Sequence, residues 1–320
     1  MGQLTFGLNL WSQASDWPSF LAAGRRAEAL GYDHLWTWDH VLAIFGDPDQ
    51  PIFEGYTALA AMAQATERIR LGLFVGANTF RNPGLVAKSI ATIDHISNGR
   101  AIMGLGGAWF GAEHQAFGID FGTGFGQRLD WLAEAVPAVR TLLDGGEVTS
   151  EPGGRYAFDH LRIQPPPVQA HVPVMIGGGG EQKTLRIVAR DADIWNVFGT
   201  PEIVAHKADV LRRHCEEIGR DPETIERSLG CKVTIRSTEA EAERVRQATL
   251  AHNRTPPERV AGDTSFWTGT PEQIAETIRS YQAVGFDTFI VELAAPYDDE
   301  TMTSLMQLVK PMVDGTAVPA

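Results

Sequence analysis

The chain has 320 residues, 43% of them apolar, with 33 glycines and a formal charge of −13 from 27 basic and 40 acidic residues. That length fits one unit of about 250 residues plus insertions, and the acidic balance excludes nucleic acid and anionic membranes as general partners. Two cysteines, Cys215 and Cys231, with no Cys-x-x-Cys pair, exclude a disulfide scaffold or zinc ribbon and fit a reducing cytoplasm. A strand is predicted over 5–8, which leaves no room ahead of it for a signal peptide. No apolar run approaches the ~20 residues of a membrane span. The expectation is a cytoplasmic protein.

Further elements follow in a fixed rhythm. The helical phrase Arg26-Ala27-Glu28-Ala29-Leu30 stops at Gly31, suited to the left-handed position after a helix, and a strand over 34–38 follows. Thr66-Glu67-Arg68-Ile69 leads into a strand over 70–75, Ser97-Asn98-Gly99-Arg100 into 101–103, and Arg190-Asp191-Ala192 into 193–197. Strands over 174–176 and 229–235 complete the middle of the chain. Tyr281-Gln282-Ala283-Val284-Gly285-Phe286 then repeats the first phrase before 288–292. Eight strands alternating with helices imply a parallel sheet. Eight units favour closure into a (β/α)8 TIM barrel, a single domain over 1–320, above an open doubly wound sheet.

Two segments break the rhythm. Residues 146–173 carry the alternation Arg155-Tyr156-Ala157-Phe158 and then Pro165-Pro166-Pro167, which reads as an inserted hairpin or lid. Residues 255–271 read as a second long loop, with Phe266 and Trp267 exposed over the barrel mouth.

A barrel carries its chemistry where the strands end. The second strand ends in Trp38-Asp39-His40. A histidine can carry a proton near neutral pH, and an acidic neighbour could orient or charge it, so His40 and Asp39 are the catalytic candidates; the alternative is a histidine on the rim. The third strand runs out through Phe74, Val75, Gly76, Ala77 and Asn78, small enough to let a flat ring approach the backbone. An ordinary strand-to-helix loop would read the same. Gly104-Leu105-Gly106-Gly107 lacks dinucleotide-fingerprint spacing, and the run Gly177, Gly178, Gly179 and Gly180 fails as a P-loop because Gln182 stands where that motif needs glycine. What survives is a turn whose amides can hold one phosphate. No metal is expected. The first strand has Asn9-Leu10-Trp11 where a barrel hydrolase needs His-x-His, and Glu113-His114 and Asp94-His95 are adjacent pairs that do not converge as ligands. No Gly-x-Ser-x-Gly elbow is present.

At this point the chain resembles the luciferase-like monooxygenase family over 6–296. The resemblance rests on Glu28-Ala29-Leu30-Gly31-Tyr32-Asp33, on Ala65 to Gly72, on Lys88 to Arg100, and on Gly104-Leu105-Gly106-Gly107-Ala108-Trp109. Through Trp38-Asp39-His40 and Ile176 to Gly180 with Asp193-Ile194-Trp195-Asn196 it is similar to the branch that uses the deazaflavin coenzyme F420. Flavin-using luciferases tend to have Glu-His-His at Asp39-His40-Val41. The resemblance implies a deazaflavin ring across the strand ends, backed by a cis peptide at Phe74–Val75, contacted by Trp109, Trp195 and Asn196, with its phosphate on the glycine turn and His40 exchanging a proton with a small-molecule substrate. It also implies a two-fold dimer, for which the small residues Ala58, Ala60, Ala61, Ala63, Ala87 and Ala91 on two helices are suited. Relatives often have an amide side chain where this chain has Phe110, which implies a more apolar substrate pocket. The alternatives are an FMN-dependent monooxygenase of the same fold and a flavin-binding protein without turnover.

Overall fold

In Thr5–Leu10, which forms β1, Phe6, Leu8 and Leu10 alternate along one face and are fully buried, while Gly7 and Asn9 are buried on the other. The computed structural model of the chain describes residues 3–315. In it β1 is followed by α1 (Trp17–Leu30), β2 (His34–Thr37), α2 (Gly55–Ala65), β3 (Arg70–Leu73) with its short continuation β4 (Gly76–Ala77), α3 (Pro83–Ser97) and β5 (Ala101–Gly106). Then come α4 (Gly111–Phe117), α5 (Phe125–Leu143), β6 (Val174–Gly177), α6 (Thr184–Asp191), β7 (Ile194–Val197), α7 (Pro201–Ile218) and β8 (Glu226–Ile235). The remainder is α8 (Glu239–His252), β9 (Phe266–Gly269), α9 (Pro271–Gln282), β10 (Thr288–Leu293), α10 (Asp299–Ser304) and α11 (Lys310–Asp314).

All strand pairings are parallel, in the order β10-β1-β2-β3-β5-β6-β7-β8, and β8 pairs with β10 to close the ring. This is the (β/α)8 barrel expected from the sequence. Helix ends are set by local chemistry. The Asp16 carboxylate accepts from the Ser19 amide at 2.8 Å to start α1, and Gly31, at φ 84°, ends it. Inside the ring, Trp36 packs with Phe74, Ile102, Met175, Ile194 and Ile290. Gly7 and Gly72 make room for its indole: a Cβ on either would lie 2.8 Å or less from it. Buried Arg100 ties the outer layer, donating to the carbonyls of Ser97, Ala63, Thr66 and Ile69 and to Thr66 Oγ1. None of the helices among the described residues is long and apolar enough to cross a membrane.

The insertion at 146–173 is a hairpin. Val148 and Leu161 exchange backbone hydrogen bonds of 3.0 and 2.9 Å, and Ser150 N donates to Phe158 O. It runs along α3, where Lys88 donates to Gln164 O and the His95 ring meets Pro166 O. The loop at 255–271 departs from expectation. Its last part is β9, parallel to β8, and Trp267 is buried, stacked on Tyr281 at 5.3 Å, rather than exposed over the mouth. Strand alternation is the reason: Phe266 and Trp267 face opposite ways, and the indole takes the core side.

Candidate active site

The strand register brings Leu10, Thr37 and Leu73 to one level, so the segments after them form a common rim. A cavity of about 520 Å³ opens there, lined by His40, Phe74, Val75, Gly76, Trp109, Glu113, Gly177, Asn196, Lys232 and Glu292 among others.

His40 is partly buried, and its Nδ1 lies 3.0 and 3.2 Å from the two carboxylate oxygens of Glu113, a buried residue of α4. The Val41 amide donates to the same carboxylate at 3.1 Å. Glu113 therefore fixes the ring and leaves Nε2 as the nitrogen free to exchange a proton. Asp39 does not touch His40. Its Oδ2 accepts from the Ala77 amide at 2.9 Å and from Arg81 Nη1 at 2.8 Å, while the other arm of Arg81 holds Glu54. Burial pushes the Asp39 carboxyl up to about 6, against the pull of Arg81. Its Oδ1 is buried without a partner. The sequence placed the orienting carboxylate one residue from the histidine; the fold supplies it from 73 positions further on, because successive residues at a strand end point to opposite sides.

The cavity floor is Phe74 to Ala77, with Phe74–Val75 in the cis form. Gly106 and Gly177 press on Val75 from two sides. A Cβ on either would sit 2.8 or 2.9 Å from Val75 Cγ2, so only glycine keeps this floor low and flat. Asn78 turns outward: it is buried and donates to the Tyr156 hydroxyl of the hairpin at 3.0 Å. Trp109 stands at the mouth, 58% exposed, edge-on to the His40 ring at 5.6 Å.

Gly177 and Gly178 reach the cavity, and Gly179 and Gly180 carry the turn on toward α6. The Gly178 amide is used in a bond to Asn196 O, whereas among the described residues the amides of Gly179 and Gly180 have no partner. Lys207 donates to Gly179 O at 2.6 Å and steadies the turn. Trp195 does not line the cavity. It is fully buried behind the turn and donates Nε1 to Gly178 O at 2.9 Å. Asn196 does line it, anchored on Ser228 Oγ at 3.0 Å. A floor over Val75, Gly76 and Ala77 kept low by two glycines, two unpaired amides at a glycine turn and an unpartnered buried carboxylate oxygen fit a planar, phosphate-bearing cofactor.

Several residues of the site escaped sequence reasoning. Glu113 was visible only as a poor metal ligand. Glu292 and Lys232 carry the better signal, each a lone charge within a mostly apolar stretch, Thr288–Leu293 and 229–235. Gln13 gave none, yet its side chain binds the Ile44 and Phe45 amides and Phe45 O, fixing the loop that walls the cavity.

The luciferase-like monooxygenase profile matches residues 4–288. An uncharacterised protein of Mycobacterium tuberculosis is 32% identical over 189 residues, 54% of this chain and 65% of that protein. The pyrimidine monooxygenase RutA of Escherichia coli is 32% identical over 190 residues, 58% of this chain and 48% of that one. The chain thus spans less than two thirds of these relatives. Among solved structures, the coenzyme F420-dependent tetrahydromethanopterin reductase of Methanopyrus kandleri superposes with a TM-score of 0.78 at 21% identity, covering 97% of this chain and 99% of that one. An F420-dependent secondary alcohol dehydrogenase gives 0.81 at 19% identity, covering 98% and 99%. Monooxygenase RslO1 of Streptomyces bottropensis gives 0.80 at 22% identity, also covering 98% and 99%. At these identities the structures speak for the fold. With the profile spanning most of its length, the chain belongs to the luciferase-like monooxygenase family.

Proposed function

We propose that the chain is an F420-dependent oxidoreductase that moves a hydride between the deazaflavin and a small organic carbonyl, alcohol, imine or activated alkene. The observation that carries this reading is the His40–Glu113 pair at 3.0 Å in the wall of the cavity. When bound, the deazaflavin supplies a carbon that gives or takes hydride. Reducing a carbonyl, or oxidising an alcohol, also moves a proton at the oxygen, and His40 Nε2 is placed to give or take it. Glu113 holds the imidazole in one orientation. Val75, Gly76 and Ala77 back the ring, Gly179 and Gly180 offer their amides to phosphate, and Trp109 shields the mouth from water.

The second reading is an FMN-dependent monooxygenase, favoured by the 32% identity to a pyrimidine monooxygenase. Titrating the purified protein with F420 and with FMN, following each chromophore, separates the two. Tighter binding of F420 supports the first reading, and FMN binding at least as tight reverses it. Assembly as a homodimer in the cytoplasm belongs to the same reading, although Ala58, Ala63, Ala87 and Ala91 are buried within one chain and are not available to an interface.

A further inference from the structure

A second polar group lines the same cavity. Lys232 on β8 and Glu292 on β10 are register partners, and Nζ lies 3.3 Å from Oε1. Glu292 Oε2 is already saturated, accepting from Asn9 Nδ2 at 3.2 Å, Trp11 Nε1 at 3.1 Å and Trp38 Nε1 at 3.2 Å. Among the described residues, Oε1 has only the ammonium. The ammonium in turn gives one good hydrogen bond, to Ser265 Oγ at 2.9 Å, and stands 3.6 Å from Asp263, beyond hydrogen-bond reach. Burial alone would lower the Lys232 pKa, but Glu292 and Asp263 carry it above its ordinary value, so the ammonium stays charged.

A donor and an acceptor, each with capacity to spare, therefore sit side by side at the cavity wall. A carboxylate or phosphate entering here would meet Glu292 and Asp263. An amine would meet the ammonium. An apolar group would strip water from both charges and return nothing. A neutral group that accepts and donates at once satisfies the pair. Around it the walls are apolar, with Phe198 and Phe266 rings 5.5 and 4.9 Å from the ammonium and Ile44 and Phe45 alongside.

Resting on the oxidoreductase reading above, we propose that Lys232 and Glu292 determine specificity: they select an apolar-bodied substrate bearing a neutral hydroxyl or ring amide away from the reacting carbon.

Three ketones of matched size test this: para-(hydroxymethyl)acetophenone, para-ethylacetophenone and para-carboxyacetophenone. Binding is read by quenching of tryptophan fluorescence, with and without cofactor, in the wild type, Lys232→Met and Ser265→Ala. The wild type should bind the hydroxymethyl ketone about tenfold to a hundredfold more tightly than the ethyl one, and the carboxylate most weakly. Lys232→Met should erase that preference while cofactor affinity changes less than threefold. Ser265→Ala, which removes a hydroxyl without touching either charge, should shrink it. Equal binding of the three ketones by the wild type overturns the proposal. So does a Lys232→Met variant that loses cofactor affinity instead of selectivity, since the pair would then serve the cofactor. Failure of both F420 and FMN to bind would count against the oxidoreductase reading alone, because the ketone preference is measurable without them.

Discussion

Asp39→Asn offers a quantitative test of the electrostatics beneath the cavity. The folded protein holds the Asp39 carboxyl at about 6, against an ordinary 3.8, mainly because burial disfavours the charge. Arg81 does not offset that burial, being shared with Glu54. Two pKa units correspond to about 3 kcal/mol. Between about pH 4 and about pH 6 the folded chain keeps a proton that the unfolded chain has released. The contribution of Asp39 to stability therefore falls as pH rises through this window, and it stays lost above. Asparagine resembles the protonated acid and cannot ionise. At about pH 4 the variant and the wild type should be similarly stable, and by about pH 7 the variant should have gained about 3 kcal/mol relative to the wild type. Urea unfolding followed by tryptophan fluorescence across that range measures the difference directly. A pH-independent difference, or one that favours the wild type increasingly as pH rises, would show that Arg81 and the Ala77 amide outweigh burial and would refute the reasoning.

His40→Ala should lower turnover by about 10²–10⁴-fold while the dissociation constant for cofactor changes little, because the proposed reading rests ring and phosphate on backbone around Val75 and Gly179; near-normal turnover would make His40 a rim residue. Arg100→Ala should cost about 3–4 kcal/mol in denaturant unfolding, since the buried carbonyls of Ala63, Thr66, Ile69 and Ser97 all lose a donor. Arg100→Lys should recover only part of this, an ammonium lacking the fork that reaches both Ala63 of α2 and Ile69 just before β3.

The barrel was legible because it repeats. Each helix that stops at a glycine or asparagine and yields to a buried apolar run, as at Gly31 before His34–Thr37, states its own unit. β9 was not legible, because Phe266–Gly269 is four residues long and follows a polar stretch, so its alternation is too short to separate from a loop. In the site, what depends on backbone was readable: the floor at Val75 and the glycine turn from the residues, and the cis bond at Phe74–Val75 through the resemblance. What depends on side chains meeting across the ring was not. Glu113 takes the orienting role that adjacency gives to Asp39, and Trp195, which the resemblance places against the cofactor, instead braces the turn from behind. Pairings such as Lys232 with Glu292 exist only once two strands are in register.

The bond from Asn78 to Tyr156 gives the hairpin an unexpected mechanical status. Asn78 follows the floor segment directly, and Tyr156 belongs to an insertion that lies on the flank of α3 rather than over the mouth. The hairpin is thus a strut. No residue of 146–173 lines the cavity, so changes in the hairpin should leave access to it unaltered, provided the tyrosine hydroxyl stays in place. Removing that one hydroxyl would loosen the floor from outside, at a point beyond the cavity lining.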